Sequence, residues 1–205
     1  MFVKPANLGS SIGISKAKDR AGLKDGIEIA IRYDRRILIE QGVENIMEIN
    51  CACLGFDTEV QASVCEKPVN WEEFLTFGEK YERNSGKTSG MESLDRLIPA
   101  PIPDALRDEV QQLSIAVFQA LDCKGVVRID FIVDTAENKT YINEINTIPG
   151  SFAFYLWEPV GISFKELVDR LYALACRAQE EKKRNTYAFD SEVLSKAAKG
   201  AKLSK

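Results

Sequence analysis

Two short segments in the second half of the chain carry charged and amide side chains at alternate positions. Arg128 and Asp130 are two residues apart, and so are Glu144 and Asn146. Side chains at alternate positions of a β-strand point to the same face of the sheet. Residues 134–139 have the composition of a turn, which predicts that the two segments form a hairpin. A register that brought the two polar faces together would place two carboxylates side by side.

Two neighbouring carboxylates in a partly buried sheet repel each other unless a cation lies between them. A ligand set of Asp, Glu and Asn oxygens, without His or Cys, suits a hard ion such as Mg²⁺, which completes its shell with substrate phosphates. The alternative is a polar strand face whose charge is satisfied by Arg128 and solvent. The strands alone favour neither interpretation.

Residues that could bind a nucleotide lie in the first quarter of the chain. Lys4 precedes a loop, residues 9–13, in which glycines flank Ser10 and a second serine, so that amides and hydroxyls could cover phosphate oxygens. This loop lacks the Gly-Lys-Ser/Thr ending of a Walker loop. Glu40 ends an apolar strand, where a carboxylate could reach an adenine amino group or ribose hydroxyls, and Glu48 follows eight residues later. Taken separately, these residues favour a plain turn and a surface acid at the end of a strand.

Lys80 and Tyr81 lie in a long polar stretch, residues 70–103. A stretch of this length without periodicity is typical of a functional loop or of disorder. A lysine on a segment that closes over a site would bring positive charge to phosphates.

Composition excludes several kinds of chemistry. The chain has no histidine, which excludes Ser-His and Cys-His nucleophile pairs and disfavours a transition-metal site. Of its five cysteines, Cys51 and Cys53 alternate along one strand, which predicts small core residues. The net charge of −4, the absence of a long apolar run and the absence of a signal segment predict a cytoplasmic protein without a nucleic-acid or membrane partner.

The elements that position these residues follow from periodicity and predict a mixed α+β protein. Helices are expected at residues 22–33, 103–121 and 164–178, with Gly125 as the stop signal of the second. Strands are expected at residues 2–4, 36–40, 48–54, 60–66, 126–133 and 140–146. Residues 147–159 are expected to form a loop.

In order and spacing, the segments resemble the ATP-grasp ligases, and closely the D-alanine–D-alanine ligases. The matching stretches are FVKPA at residues 2–6, GSSIG at 9–13, IEQGV at 39–43, EKY at 79–81, IPA at 98–100, RIDF at 128–131 and NEINTIPG at 143–150. The resemblance runs from residue 2 to about residue 178. It implies an ATP-grasp fold, with a partial central nucleotide-binding subdomain (1–66), a C-terminal catalytic subdomain of antiparallel sheet and helices (67–180, with a mobile loop at 76–98) and a charged tail (181–205).

The resemblance implies a ligase that joins two D-alanines through a D-alanyl phosphate for peptidoglycan precursor synthesis, using ATP and two Mg²⁺ ions, with Mn²⁺ as a substitute. It assigns ATP to Lys4, Glu40, Glu48, Phe74 and Lys80, and the metal ions to Asp130, Glu144 and Asn146. It assigns catalysis to Ser10, Tyr81, Arg128 and Gly150, where Arg128 and the Gly150 amide would stabilise charge at the acyl centre. Presence of the Lys80-Tyr81 pair favours a dipeptide product.

Two departures from the family pattern affect the expected activity of the chain and its expected second substrate. The family's N-terminal domain, which supplies a glutamate for the first D-alanine, and a further phosphate-binding lysine would lie upstream of residue 1. We therefore expect the chain alone to be inactive, and the resemblance allows a homodimer of the full-length protein. Tyr155 stands where the family usually has a serine that contacts the second D-alanine, which makes Tyr155 and Leu156 the expected substrate-binding residues. The alternatives are an ATP-grasp ligase for another acid and amine, and a nucleotide-binding fragment without catalysis.

Overall fold

The computed structural model describes residues 1–68 and 96–186. Phe74, Lys80 and Tyr81 lie outside these residues, as do most of the predicted loop at 76–98 and most of the predicted tail. The predictions that concern them are therefore not addressed by the structure.

The N-terminal part of the chain forms a three-stranded antiparallel sheet in the order β2-β1-β3. Its elements are β1 (Phe2–Pro5), β2 (Ser15–Lys16), helix α1 (Arg20–Ala30) and β3 (Ile37–Glu40). Helix α1 begins after Asp19, whose Oδ1 accepts a hydrogen bond of 2.8 Å from the Gly22 amide. Gly26 of α1 lies close to β1, since a Cβ placed there would stand 3.1 Å from a Val3 methyl group.

A five-stranded antiparallel sheet, in the order β6-β5-β4-β7-β8, forms the larger part of the fold. The strands are β4 (Ile46–Phe56), β5 (Glu59–Pro68), β6 (Arg96–Leu97), β7 (Lys124–Asp134) and β8 (Lys139–Asn146). Strands β4 and β7 pair along their whole length. The predicted β7–β8 hairpin is confirmed, and the strands predicted at residues 48–54 and 60–66 pair as a second hairpin, β4–β5.

Helix α2 (Asp104–Ala120) covers one face of this sheet. Its Val110 and Phe118 pack with Ile49, Phe131 and other apolar side chains of β4 and β7 in the main core cluster. Cys51 and Cys53 lie in this cluster and are fully buried, which confirms their predicted packing role. Burial raises the pKa of the Cys53 thiol well above its usual value, so the side chain stays neutral.

Part of the opposite face is covered by the C-terminal elements, which are two 3₁₀ segments, Gly150–Leu156 and Glu158–Val160, and helix α3 (Phe164–Arg184). Leu156, Trp157 and Leu167 pack on Leu54 and Val126 in a second apolar cluster. Further along the same face the side chains become polar, and the candidate site lies there.

Three sequence predictions need correction. Gly125 does not end α2: the left-handed residue after that helix is Asp122, at φ 49°, and Gly125 lies within β7. Residues 150–160 are mostly 3₁₀ helix, where a loop was predicted. Helix α3 continues to Arg184, into the predicted tail, because basic residues in its last turn are favoured by the helix dipole although they carry no apolar periodicity.

The five-stranded sheet crosses the domain boundary predicted between residues 66 and 67, which falls inside β5. The division into domains stays a prediction, and the grouping of strands favours a boundary between Glu40 and Ile46. Among the described residues, no helix is long and apolar enough to cross a membrane.

Candidate functional site

A row of polar residues crosses four neighbouring strands of the large sheet. Glu66 of β5 pairs with Asn50 of β4, Asn50 pairs with Asp130 of β7, and Asp130 pairs with Glu144 of β8. Directly opposed residues of antiparallel strands project from the same face. Arg128 pairs with Asn146 two positions along. The register that the sequence analysis required for a cation site is therefore present.

The Asp130 carboxylate is 5% exposed and accepts three hydrogen bonds. Arg128 donates from Nε to Oδ1 at 2.7 Å and from Nη2 to Oδ2 at 2.8 Å, and Asn146 Nδ2 donates to Oδ2 at 3.0 Å. Burial opposes the charge of Arg128, but the hydrogen bonds and ion pair with Asp130, and the interaction with Tyr155, outweigh burial and raise the pKa of Arg128. In this structure, then, the charge of Asp130 is satisfied by Arg128.

The oxygen atoms of this face fit Mg²⁺ in kind. Asp130 and Glu144 face each other across β7 and β8, and Glu144 is exposed without a hydrogen bond or ion pair to any other described residue. Rotation of the Asn146 amide would present its oxygen to a cation in place of its nitrogen. Over residues 1–68 and 96–186, no group of three or more His, Cys, Asp or Glu side chains could hold a metal. Two carboxylates and an amide form the partial shell that Mg²⁺ completes with phosphates and water.

A second polar cluster adjoins the first and was missed by the sequence analysis. Glu66, 2% exposed, accepts hydrogen bonds from Asn50 Nδ2 at 2.8 Å, Arg96 Nη1 at 3.4 Å and Tyr155 Oη at 3.5 Å. The Arg96 guanidinium lies over the Tyr155 ring, 4.5 Å from its centroid. The available signal was the polar residue Asn50 between two apolar neighbours of a buried strand.

Tyr155 connects the two clusters. Its hydroxyl bonds to Glu66 and also interacts with Arg128. Burial, followed by the negative charge of Glu66, raises the pKa of Tyr155 above its usual value, so the phenol stays protonated at neutral pH. Leu156, the other predicted substrate-binding residue, is fully buried in the second apolar cluster, so its side chain is part of the core.

The segment that begins at Gly150 has an unusual backbone. Ser151, Phe152 and Ala153 all have left-handed dihedral angles, with φ of 50°, 57° and 51°. Each such residue costs roughly 1–2 kcal/mol and persists only where the surrounding structure enforces it, which is common at functional sites. Burial of Ala153 and Leu156 anchors the segment beside the polar face.

The residues predicted to bind a nucleotide divide between the two sheets. Lys4 of β1 and Glu40 of β3 form an ion pair, with Nζ 2.7 Å from Oε1. Ser10 lies in a turn and has a positive φ of 55°. Glu48 is in β4 of the large sheet, opposite Ile132 and two residues from Asn50.

Comparison with known proteins gives consistent matches. Residues 1–173 match the family model described as the D-ala D-ala ligase C-terminus. The chain is 44% identical to the D-alanine–D-alanine ligase of Heliobacterium modesticaldum over 188 residues, which is 90% of this chain and 49% of that protein. It is 42% identical to the corresponding ligase of Acetivibrio thermocellus over 179 residues, 85% of this chain and 45% of that protein.

Solved structures agree with these sequence matches. The D-alanine–D-alanine ligase of Coxiella burnetii superimposes with a TM-score of 0.71 at 28% identity, covering 89% of this chain and 47% of that one. The VanG D-Ala:D-Ser ligase of Enterococcus faecalis gives a TM-score of 0.66 at 27% identity, covering 84% and 48%. The chain thus spans about half the length of the curated relatives that it matches.

Proposed function

Because the chain belongs to the D-alanine–D-alanine ligase family and has its ATP-grasp fold, we propose that it forms the ATP- and magnesium-binding half of a ligase that joins two D-alanines for peptidoglycan precursor synthesis. The observation that carries the proposal is the row of Asp130, Glu144 and Asn146 beside Arg128. This arrangement collects oxygen ligands and one cationic side chain on a single face of the sheet.

In the proposed reaction the carboxylate of the first D-alanine attacks the γ-phosphate of ATP and displaces ADP, which gives D-alanyl phosphate. The amine of the second D-alanine then attacks the acyl carbon, loses a proton and displaces phosphate. Lys4, Glu40 and Glu48 would hold the nucleotide. Phe74 and Lys80, which lie between the two described parts of the chain, would also contribute to this site. Ser10 and Tyr81 would link the predicted closing loop to the substrate site. Phosphoryl transfer depends on positioning and charge neutralisation, so the chain needs no histidine.

Asp130, Glu144 and Asn146 would hold the magnesium ions, which when bound supply positive charge to the phosphates. Arg128 and the amide of Gly150 would stabilise negative charge on the acyl oxygen as the amine attacks. We propose that both sheets contribute to the nucleotide site, the small sheet through Lys4 and Glu40 and the large sheet through Glu48, and that the large sheet also supplies the metal ligands.

A second candidate function is the joining of D-alanine to a different amine. Tyr155 favours it, because its hydroxyl is already bonded to Glu66 and its ring is stacked by Arg96. A side chain constrained in this way shapes the second-substrate pocket differently from the serine of the family pattern. A third candidate is a nucleotide-binding fragment without catalysis, since the chain matches about half the length of its relatives.

The test is D-alanine-dependent phosphate release from ATP and Mg²⁺. It would be measured on the chain alone and on the chain joined to the N-terminal half of the Heliobacterium modesticaldum relative. We expect turnover only in the joined protein. A screen of D-serine and other D-amino acids as the second substrate separates the first two candidates, and binding of Mg-ATP without turnover would favour the third.

A further inference from the structure

Arg128 interacts with two groups, the Asp130 carboxylate and the Tyr155 hydroxyl. On one side it forms two hydrogen bonds with Asp130, at 2.7 and 2.8 Å. On the other side it interacts with the Tyr155 hydroxyl, which is bonded to Glu66. A continuous network of polar contacts therefore links the carboxylate of Glu66 to the carboxylate of Asp130 through a tyrosine and an arginine.

A cation at Asp130 would compete with Arg128 for that carboxylate. A carboxylate offers about four acceptor positions, and Arg128 and Asn146 fill three of them on Asp130. A guanidinium and a divalent ion on one carboxylate would also repel each other. The Arg128 side chain is only 23% exposed, so it needs another acceptor when it leaves Asp130.

Glu66 is placed to be that acceptor. It is nearly inaccessible to solvent, it projects from the same face of the sheet as Asp130, and Asn50 lies in register between the two. Asn50 and Arg96 hold the Glu66 carboxylate in place, each by a hydrogen bond. Because the Glu66 carboxylate is buried and held in place, it can balance the positive charge of Arg128 after Arg128 leaves Asp130.

We propose that Glu66 is a positioning residue for the metal site, which receives Arg128, through Tyr155, when a divalent cation takes Asp130. The proposal rests on the proposed function, since it assumes that Asp130 and Glu144 hold the cation. It assigns a role to a residue that would touch neither metal nor substrate.

The experiment is a double-mutant cycle on Mn²⁺ binding to the 205-residue chain, followed by the electron paramagnetic resonance signal of free Mn²⁺. The variants are Glu66→Gln, Arg128→Met and the two combined. Glu59→Gln is the matched control, because Glu59 is an exposed glutamate of the same strand whose partner is Arg177. Thermal unfolding of each variant reports whether it is folded.

We expect Glu66→Gln to weaken Mn²⁺ binding about tenfold, the usual effect of losing an outer partner of a metal site. Arg128→Met should bind Mn²⁺ at least as tightly as the unaltered chain. In the Arg128→Met background, Glu66→Gln should have no further effect, because the arginine that Glu66 receives is gone. Glu59→Gln should leave binding unchanged.

An equal loss from Glu66→Gln in both backgrounds would overturn the proposal, because it would show a general structural role. An unchanged affinity in Glu66→Gln would overturn it as well. If neither the unaltered chain nor Arg128→Met bound Mn²⁺, the assignment of the metal site itself would be wrong, and the positioning role with it. The metal assignment and the role of Glu66 therefore fail in distinguishable ways.

Discussion

Asp130 and Glu144 face each other across β7 and β8, but their surroundings differ. Asp130 is buried and bonded to Arg128 and Asn146. Glu144 is exposed and makes no contact of this kind within the described part of the chain. Changing Asp130 would therefore disturb stability and metal binding together, because removing one partner of a buried ion pair costs about 3–5 kcal/mol. Glu144 allows the two effects to be separated.

We predict that Glu144→Gln lowers Mn²⁺ affinity by about tenfold or more while the free energy of unfolding changes by less than about 0.5 kcal/mol, as for surface substitutions. Urea unfolding and Mn²⁺ binding on the same sample measure the two quantities. Asp169→Asn is the control, since Asp169 is an exposed acid of α3 paired with Lys165. Unchanged Mn²⁺ affinity in Glu144→Gln would remove Glu144 from the proposed metal site.

Cys53 gives a prediction for alkaline pH. Its pKa is raised in the folded chain, first by burial and then by neighbouring cysteines. A raised pKa contributes stability that is complete below the pKa of the unfolded thiol, about 8.5, and is lost as pH rises. Between about pH 9 and 10.5, the free energy of unfolding of the unaltered chain should therefore fall with pH more steeply than that of Cys53→Ala. The difference between the two slopes should be up to about 1.4 kcal/mol per pH unit.

Urea unfolding at several pH values measures this slope, and the exposed Cys176 provides the matched control in Cys176→Ala. An equal slope in Cys53→Ala and in the unaltered chain would contradict the prediction.

The candidate site could be predicted only in part at this scale. Arg128, Asp130, Glu144 and Asn146 were found because local alternation and one turn set their faces. Glu66 and Arg96 were missed because 30 residues separate them and the contact depends on β5 pairing with β6. Tyr155 was noticed only through the resemblance, and its bond to Glu66 spans 89 residues.

At the scale of elements, the hairpin of β4 and β5 depends on a close approach of two backbones. A Cβ at Gly55 would stand 2.2 Å from the Glu59 carbonyl oxygen and 2.7 Å from the Val60 Cα. Neither atom belongs to a flexible side chain, so the strands would have to separate.

We predict that Gly55→Ala destabilises the chain by about 1–3 kcal/mol, the usual effect of overpacking. Gly9→Ala is the control, because a Cβ there meets nothing within 4 Å. Urea unfolding compares the two. Equal stability of both variants would show that the backbones are less closely packed than described.

Periodicity predicted the helices and hairpins well where one face is buried, as in α2 with its apolar stripe. It failed where the deciding forces are not periodic. Asp122, rather than Gly125, takes the left-handed position after α2, and the last turn of α3 is basic and solvated. The 3₁₀ segment at Gly150–Leu156 depends on tertiary packing of Ala153 and Leu156, which local propensity does not report.

At the scale of the whole molecule, the resemblance to the ligases predicted the family and the fold, which composition and periodicity could not. The predicted family and ATP-grasp fold are confirmed by the match over residues 1–173 and by the superposition on solved ligases. The chain spans about half of its relatives, and the activity of a complete ligase therefore stays a proposal.

The measurement that most directly tests carboxylate activation uses D-alanine labelled with ¹⁸O in its carboxylate, with ATP, Mg²⁺ and the chain joined to the N-terminal half of its relative. If the carboxylate attacks the γ-phosphate, one labelled oxygen leaves with the phosphate when the amine displaces it. We predict singly labelled phosphate, together with D-alanyl-D-alanine, by mass spectrometry, and loss of both with Glu144→Gln. Unlabelled phosphate would show hydrolysis of ATP by water and would contradict a D-alanyl phosphate intermediate.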